Sequence, residues 1–88
     1  MRYSPKQIEA VTKELQNRFV AGEVKNYEIV VTLIAMSEAG RISQTDIKDM
    51  LYNVFFGNPK GITRALEVAK DIIDKDLIDT IVKEVNHG

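Results

Sequence analysis

Few residues in this 88-residue chain are equipped for covalent chemistry. There is no cysteine and only one histidine, His87. The missing thiols remove a thiolate nucleophile, a disulfide framework and cysteine-based zinc or iron–sulfur sites together. Nucleophilic catalysis needs a base within hydrogen-bond reach of the nucleophile, and the usual pairs are built from cysteine or histidine. A histidine as the penultimate residue reads as a solvated side chain rather than a base or ligand. Paired carboxylates could do acid–base work, but the acidic residues fall on faces expected to point outward. No glycine-rich phosphate loop occurs. The acidic run Asp71 to Asp79 fits a calcium loop poorly. Started at Asp74, it has Asp76 at the third position. It then puts Ile78 at the fifth, Asp79 where the turn glycine belongs and Val85 where the bidentate glutamate belongs. The run reads better as carboxylates near the positive start of a helix. The chain is therefore expected to be non-enzymatic and to carry no cofactor or metal.

Composition sets the class. The chain is 44% hydrophobic and 28% charged, ordinary for a folded protein and too apolar for a disordered one. Its length suits a single helical domain spanning residues 1–88. No apolar run of about 18 residues exists to cross a membrane. Residues Met1 to Lys6 lack the apolar stretch of a secretory signal, so a cytoplasmic location is expected. The formal net charge is −1, but it is unevenly spread. Residues 41–70 carry five basic and three acidic side chains, whereas residues 71–88 carry two basic and five acidic. An anionic partner would meet the middle of the chain.

Capping signals and apolar spacing predict about five short helices in a compact all-α bundle. Ser4, Pro5 and Gln7 form a start signal. Ile8, Val11, Leu15 and Phe19 follow on one face, and Gly22 is a stop, giving a helix over about residues 5–21. Asn26 is a cap for a second helix reaching Ala39 and ending at Gly40. Its run from Ile29 to Met36 is apolar nearly all round, the pattern of a central helix buried on several sides. Ser43 and Asp46 cap a third helix over about residues 44–56, with Ile47, Met50, Leu51, Val54 and Phe55 inward. Asn58 and Pro59 start a fourth, whose stripe runs Ile62, Ala65, Leu66, Ala69, Ile72 and Ile73. A phase break at Asp74-Lys75-Asp76 begins a fifth element, either a helix over 77–86 or a strand from Asp79 to Val85.

Two surfaces stand out on these helices. On the third helix, Tyr52 and Phe56 sit one turn apart, nearly opposite the inward stripe. Either the helix is covered on both sides or the pair is an anchor for a partner or a dimer contact, since aromatic anchors dominate interface energetics. On the fourth helix, an inward Ile62–Leu66–Ala69 stripe turns Lys60, Thr63, Arg64 and Glu67 outward. Lys60 and Arg64 then lie at the helix's positive end. Its first-turn amides, including that of Gly61, are candidates for a phosphate, and Thr63 and Arg64 can read base edges.

The stretch from Ala35 through Gly40-Arg41-Ile42-Ser43 to Leu51 resembles the opening of winged-helix regulators of the MarR-like kind. Lys60-Gly61-Ile62-Thr63-Arg64-Ala65-Leu66 resembles their recognition helix, and Asp74 to Ile78 the approach to the wing. The resemblance covers residues 29–78. It implies a helix-turn-helix-like unit binding DNA through Arg41, Lys60, Thr63 and Arg64. Glu67, Asp71 and Asp74 place negative charge along the same side, which DNA repels.

Three functions are thus open. The first is a small regulatory protein whose helical surface, at Tyr52 and Phe56, binds a protein partner or its own copy. The second is a DNA-binding regulator. The third is a small-molecule binder in a helical dimer. The build also suits a phage or mobile-element protein.

Overall fold

A computed structural model describes residues 2–71 of the chain. Four helices follow one another: α1 (Pro5–Val20), α2 (Asn26–Glu38), α3 (Gln44–Val54) and α4 (Pro59–Ala69). No strand occurs among the described residues. The element expected over 77–86 and the stripe residues Ile72 and Ile73 lie outside them. The Cα radius of gyration is 11.8 Å, near the ~11–12 Å of a compact chain of 70–88 residues. No helix among the described residues is long and apolar enough to cross a membrane.

Each helix starts where a side chain can take its free amides. Ser4 Oγ accepts from the Gln7 amide at 3.2 Å, and Gln7 Oε1 accepts from the Ser4 amide at 2.8 Å. Ser43 and Asp46 repeat this reciprocal box, and Asn58 Oδ1 caps α4. The second start differs from expectation. Lys25, not Asn26, holds the cap position, with its amide donating to Glu28 Oε1 at 2.8 Å. Asn26 is already helical, and its Oδ1 accepts from the adjacent Tyr27 amide.

The core is one cluster built mainly by α2, α3 and α4. Ile29, Val30, Leu33 and Ile34 come from α2, Ile47, Met50, Leu51 and Val54 from α3, and Ile62, Ala65, Leu66 and Ala69 from α4. Ile42 and Phe55 complete it from the connections. Among these helices α3 is the hub, packing on α1, α2 and α4. In contrast, α1 buries no residue fully. Its stripe Ile8, Val11, Leu15 and Phe19 is half-buried against the core. Three contacts fasten it. The Phe19 and Phe55 rings meet edge to face at 4.9 Å, a favoured geometry. Gln16 Nε2 donates to the Asn53 carbonyl at 2.9 Å, near the end of α3. Ahead of α1, the Tyr3 amide donates to the Arg41 carbonyl at 2.8 Å.

The expectation for α2 is met on one side only. Its inward face is fully buried, but Thr32 and Ala35 are exposed and Val31 and Met36 half-buried. An apolar run is compatible with an open outer face when that face is made of alanine and threonine.

Asp46 is a carboxylate whose ionisation the fold favours. Its carboxyl is held below its ordinary value of 3.8, chiefly by the Ser43 amide hydrogen bond, against some burial, with help from the Ser43 hydroxyl and Arg2. Because the folded-state value is depressed, this carboxylate stabilises the fold fully above pH 3.8, and the contribution is lost as pH falls through the folded-state value. Asp46→Ala is expected to cost about 0.5–1 kcal/mol at neutral pH. In urea titrations of both proteins, the gap should narrow as the pH is taken below that of carboxylate ionisation. A constant gap would show that the charge contributes nothing.

Candidate functional site: an exposed aromatic corner

Three of the four helices among the described residues end in the same hydrogen-bonded motif, and the differences between them locate the site. At the end of α1, Gly22 donates to the Phe19 carbonyl and Glu23 to that of Arg18. At the end of α2, Gly40 donates to Ser37 and Arg41 to Met36. At the end of α3, Phe56 donates to Asn53 and Gly57 to Tyr52, the latter at 2.7 Å. Each is a paired closure of the Schellman type, which requires a left-handed residue directly after the cap. Gly22 and Gly40 fill that position with φ of +76°. In α3 it is filled by Phe56 with φ of +55°, and Gly57 follows with φ of +72°.

Glycine adopts this conformation without penalty, whereas a side chain bearing Cβ pays about 1–2 kcal/mol. Phe56 is the described non-glycine residue with positive φ, and its ring is not offset by burial, since the residue is 68% exposed. Two unfavourable features therefore coincide at one position: a strained backbone and a large apolar ring in water.

This geometry corrects the expected third helix. The helix stops at Val54, with Phe55 as its cap, so Phe56 is not one helical turn beyond Tyr52 on a continuing surface. Phe55 is buried, as the inward stripe predicts, and Phe56, at the left-handed step that follows, is exposed. Tyr52, on α3, is 42% exposed. Its ring lies beside Gly57, where an added Cβ would sit 3.7 Å from Tyr52 Cε1. Tyr52 and Phe56 thus flank one turn, Phe56 largely exposed and Tyr52 partly so. Val20, the residue after Phe19, is also exposed. Phe19 and Phe55 are in ring contact, so Val20 and Phe56 each follow a member of that pair at the same end of the molecule.

The candidate nucleic-acid residues are only partly assembled. Lys60, Thr63 and Arg64 line one shallow depression at the start of α4, together with Asn58, Pro59, Gly61 and Glu67. Among the described residues, neither Lys60 nor Arg64 forms an ion pair. Arg41 belongs to a different depression, with Tyr3, Val31, Ala35, Met36 and Ala39. There its Nη1 donates to the Tyr3 hydroxyl at 2.9 Å, and the guanidinium lies 5.4 Å from the ring centre. Nor are the first-turn amides of α4 free. Asn58 Oδ1 accepts from Lys60 at 3.1 Å and from Gly61 at 3.4 Å. The Asn-Pro start signal already contained this outcome, because the residue that caps the helix takes the amides that would otherwise meet a phosphate.

Among the described residues no three His, Cys, Asp or Glu side chains are placed to hold a metal ion. What sequence reasoning missed was the position of Phe56 in its turn. Gly57 follows the left-handed step, whereas Gly22 and Gly40 make it. No protein-family model matches the chain, and no curated protein or solved structure resembles it closely enough to show a relationship.

Proposed function

We propose that this chain is a small non-enzymatic interaction protein that binds a protein partner through the corner carrying Tyr52 and Phe56. The observation that carries the reading is Phe56 itself, 68% exposed and left-handed, where Gly22 and Gly40 occupy the equivalent positions of α1 and α2. Strain held at a surface position is a pointer to function when the fold gains nothing from it. Aromatic rings are the side chains that contribute most when an interface covers them.

DNA binding through Lys60, Thr63 and Arg64 is the second reading, supported by their exposure on one face of α4. Glu67 in the same depression and the occupied amides of Lys60 and Gly61 weigh against it.

The test uses the immobilised chain and an extract of its host. Proteins retained by the wild type should be lost with Tyr52→Ala or Phe56→Ala, and kept with the Lys60→Ala, Arg64→Ala double variant. Retention unchanged by both aromatic substitutions would overturn the reading. Retention of duplex DNA, weakened steeply by salt and by the Lys60/Arg64 variant, would replace it with the second.

A further inference from the structure

Among the described residues, the outer face of α2 is left uncovered, and its middle is apolar. With 3.6 residues per turn, Ile29, Val30, Leu33 and Ile34 point inward and are buried. Glu28, Thr32, Ala35 and Ala39 share the opposite side and are exposed. Val31 and Met36 flank them half-buried. Val31, Thr32, Ala35, Met36 and Ala39 line one open depression with Tyr3 and Arg41. The face is apolar in its middle and charged at its two ends, with Glu28 in the first turn and Arg41 just beyond the last. Glu38 lies on its flank.

We propose that this face pairs with the same face of a second copy of the chain, antiparallel about a two-fold axis passing near Ala35. Charge placement selects both the occupant and the direction. Glu28 is seven residues before Ala35, about 10 Å along the helix, and Arg41 lies beyond the opposite end, three residues past Glu38, so the two stand on opposite sides of the axis. An antiparallel pair brings Glu28 of one copy beside the partner's Arg41, and does so twice, as an isologous interface requires. A parallel pair would set Glu28 against Glu28 and Arg41 against Arg41. Ala35 and Ala39 at the centre permit helix axes to approach to about 8 Å, the close end of the usual range. Glu38 falls at the rim, where it keeps its water.

Arg41 is prepared for this contact. Tyr3 accepts one of its N–H groups and lies against the guanidinium, which leaves other donors of the fork for a carboxylate. Glu28 uses Oε1 to accept from the Lys25 amide, which leaves its second oxygen. Both groups are held in place before association, which lowers the entropy lost on binding.

The experiment is sedimentation equilibrium on the full chain and its charge-reversal variants. The wild type is expected to dimerise. Glu28→Arg and Arg41→Glu should each weaken self-association by at least about tenfold, since each sets like charges together at both ends. Mixed in equal amounts, the two variants should associate with each other and recover the wild-type mass. That recovery depends on antiparallel pairing of these two positions, and loss of structure in one variant could not produce it. Ala35→Glu, at an exposed site, provides a variant that leaves the caps intact and should also be monomeric. Phe56→Ala should leave the dimer unchanged, which separates this interface from the aromatic corner. A wild type that stays monomeric at millimolar concentration, a mixture no heavier than its components, or an Ala35→Glu protein that dimerises normally would each overturn the proposal.

Discussion

Leu51→Ala is expected to remove about 3 kcal/mol of stability, within the range for a fully buried leucine. A chain of 88 residues has only about 4–13 kcal/mol in total. Leu51 is fully buried on α3, the helix that packs on all three others. Its loss therefore opens a cavity that no single neighbouring helix can close. Ile8→Ala in α1 is the informative contrast. Ile8 is half-buried, and α1 buries no residue completely. Its truncation should cost about 1 kcal/mol, the transfer term for a partly covered side chain without a cavity term. Urea unfolding of the two variants measures both. Equal losses would show that α1 belongs to the core as fully as α3 does, contrary to its half-exposed stripe.

That asymmetry also explains how much of the fold is legible in the residues alone. Helix starts are legible because capping is local chemistry: Ser4 with Gln7, Ser43 with Asp46, and Asn58 with Pro59 each declare themselves within four residues. The inward stripes of α3 and α4 are legible for a similar reason, since their spacing follows the helical repeat. Depth of burial is not. The stripe of α1 is as regular as that of α3, yet only tertiary packing decides that Ile8 and Leu15 remain half-exposed while Ile47 and Leu51 do not. Lys25 is invisible as a cap because its side chain has no acceptor for the first-turn amides, and the start is held from the other side by Glu28, which accepts from the Lys25 amide. The pairing of Arg41 with Tyr3 spans 38 positions, and no local pattern encodes it. The aromatic pair is visible as a surface feature, but its turn is not. An unbroken helix through Phe56 and a closure at Phe55 predict nearly the same exposure, while differing in the backbone conformation that makes Phe56 unusual.

Phe56→Gly should therefore separate stability from function by moving them in opposite directions. The substitution replaces the left-handed phenylalanine with the residue found at the equivalent positions 22 and 40. Relief of about 1–2 kcal/mol of backbone strain is partly offset by the greater freedom of glycine in the unfolded chain. The net expectation is a gain of about 0.5–1 kcal/mol, seen as a melting temperature higher by roughly 2–8 °C. Gly22→Ala and Gly40→Ala provide the controls. At neither glycine would an added Cβ meet a heavy atom within 4 Å, so any loss reports the conformation alone, and each should lower stability by about 1 kcal/mol. Over the same Phe56→Gly substitution, partner binding through the corner should weaken by about thirtyfold or more, the effect of removing an aromatic anchor worth at least about 2 kcal/mol. A protein that becomes more stable and binds worse is what a functional residue kept at the expense of the fold predicts. If Phe56→Gly is destabilising, the ring contributes to folding and the argument from strain fails. If it is stabilising and binding is intact, the aromatic corner is not the contact surface.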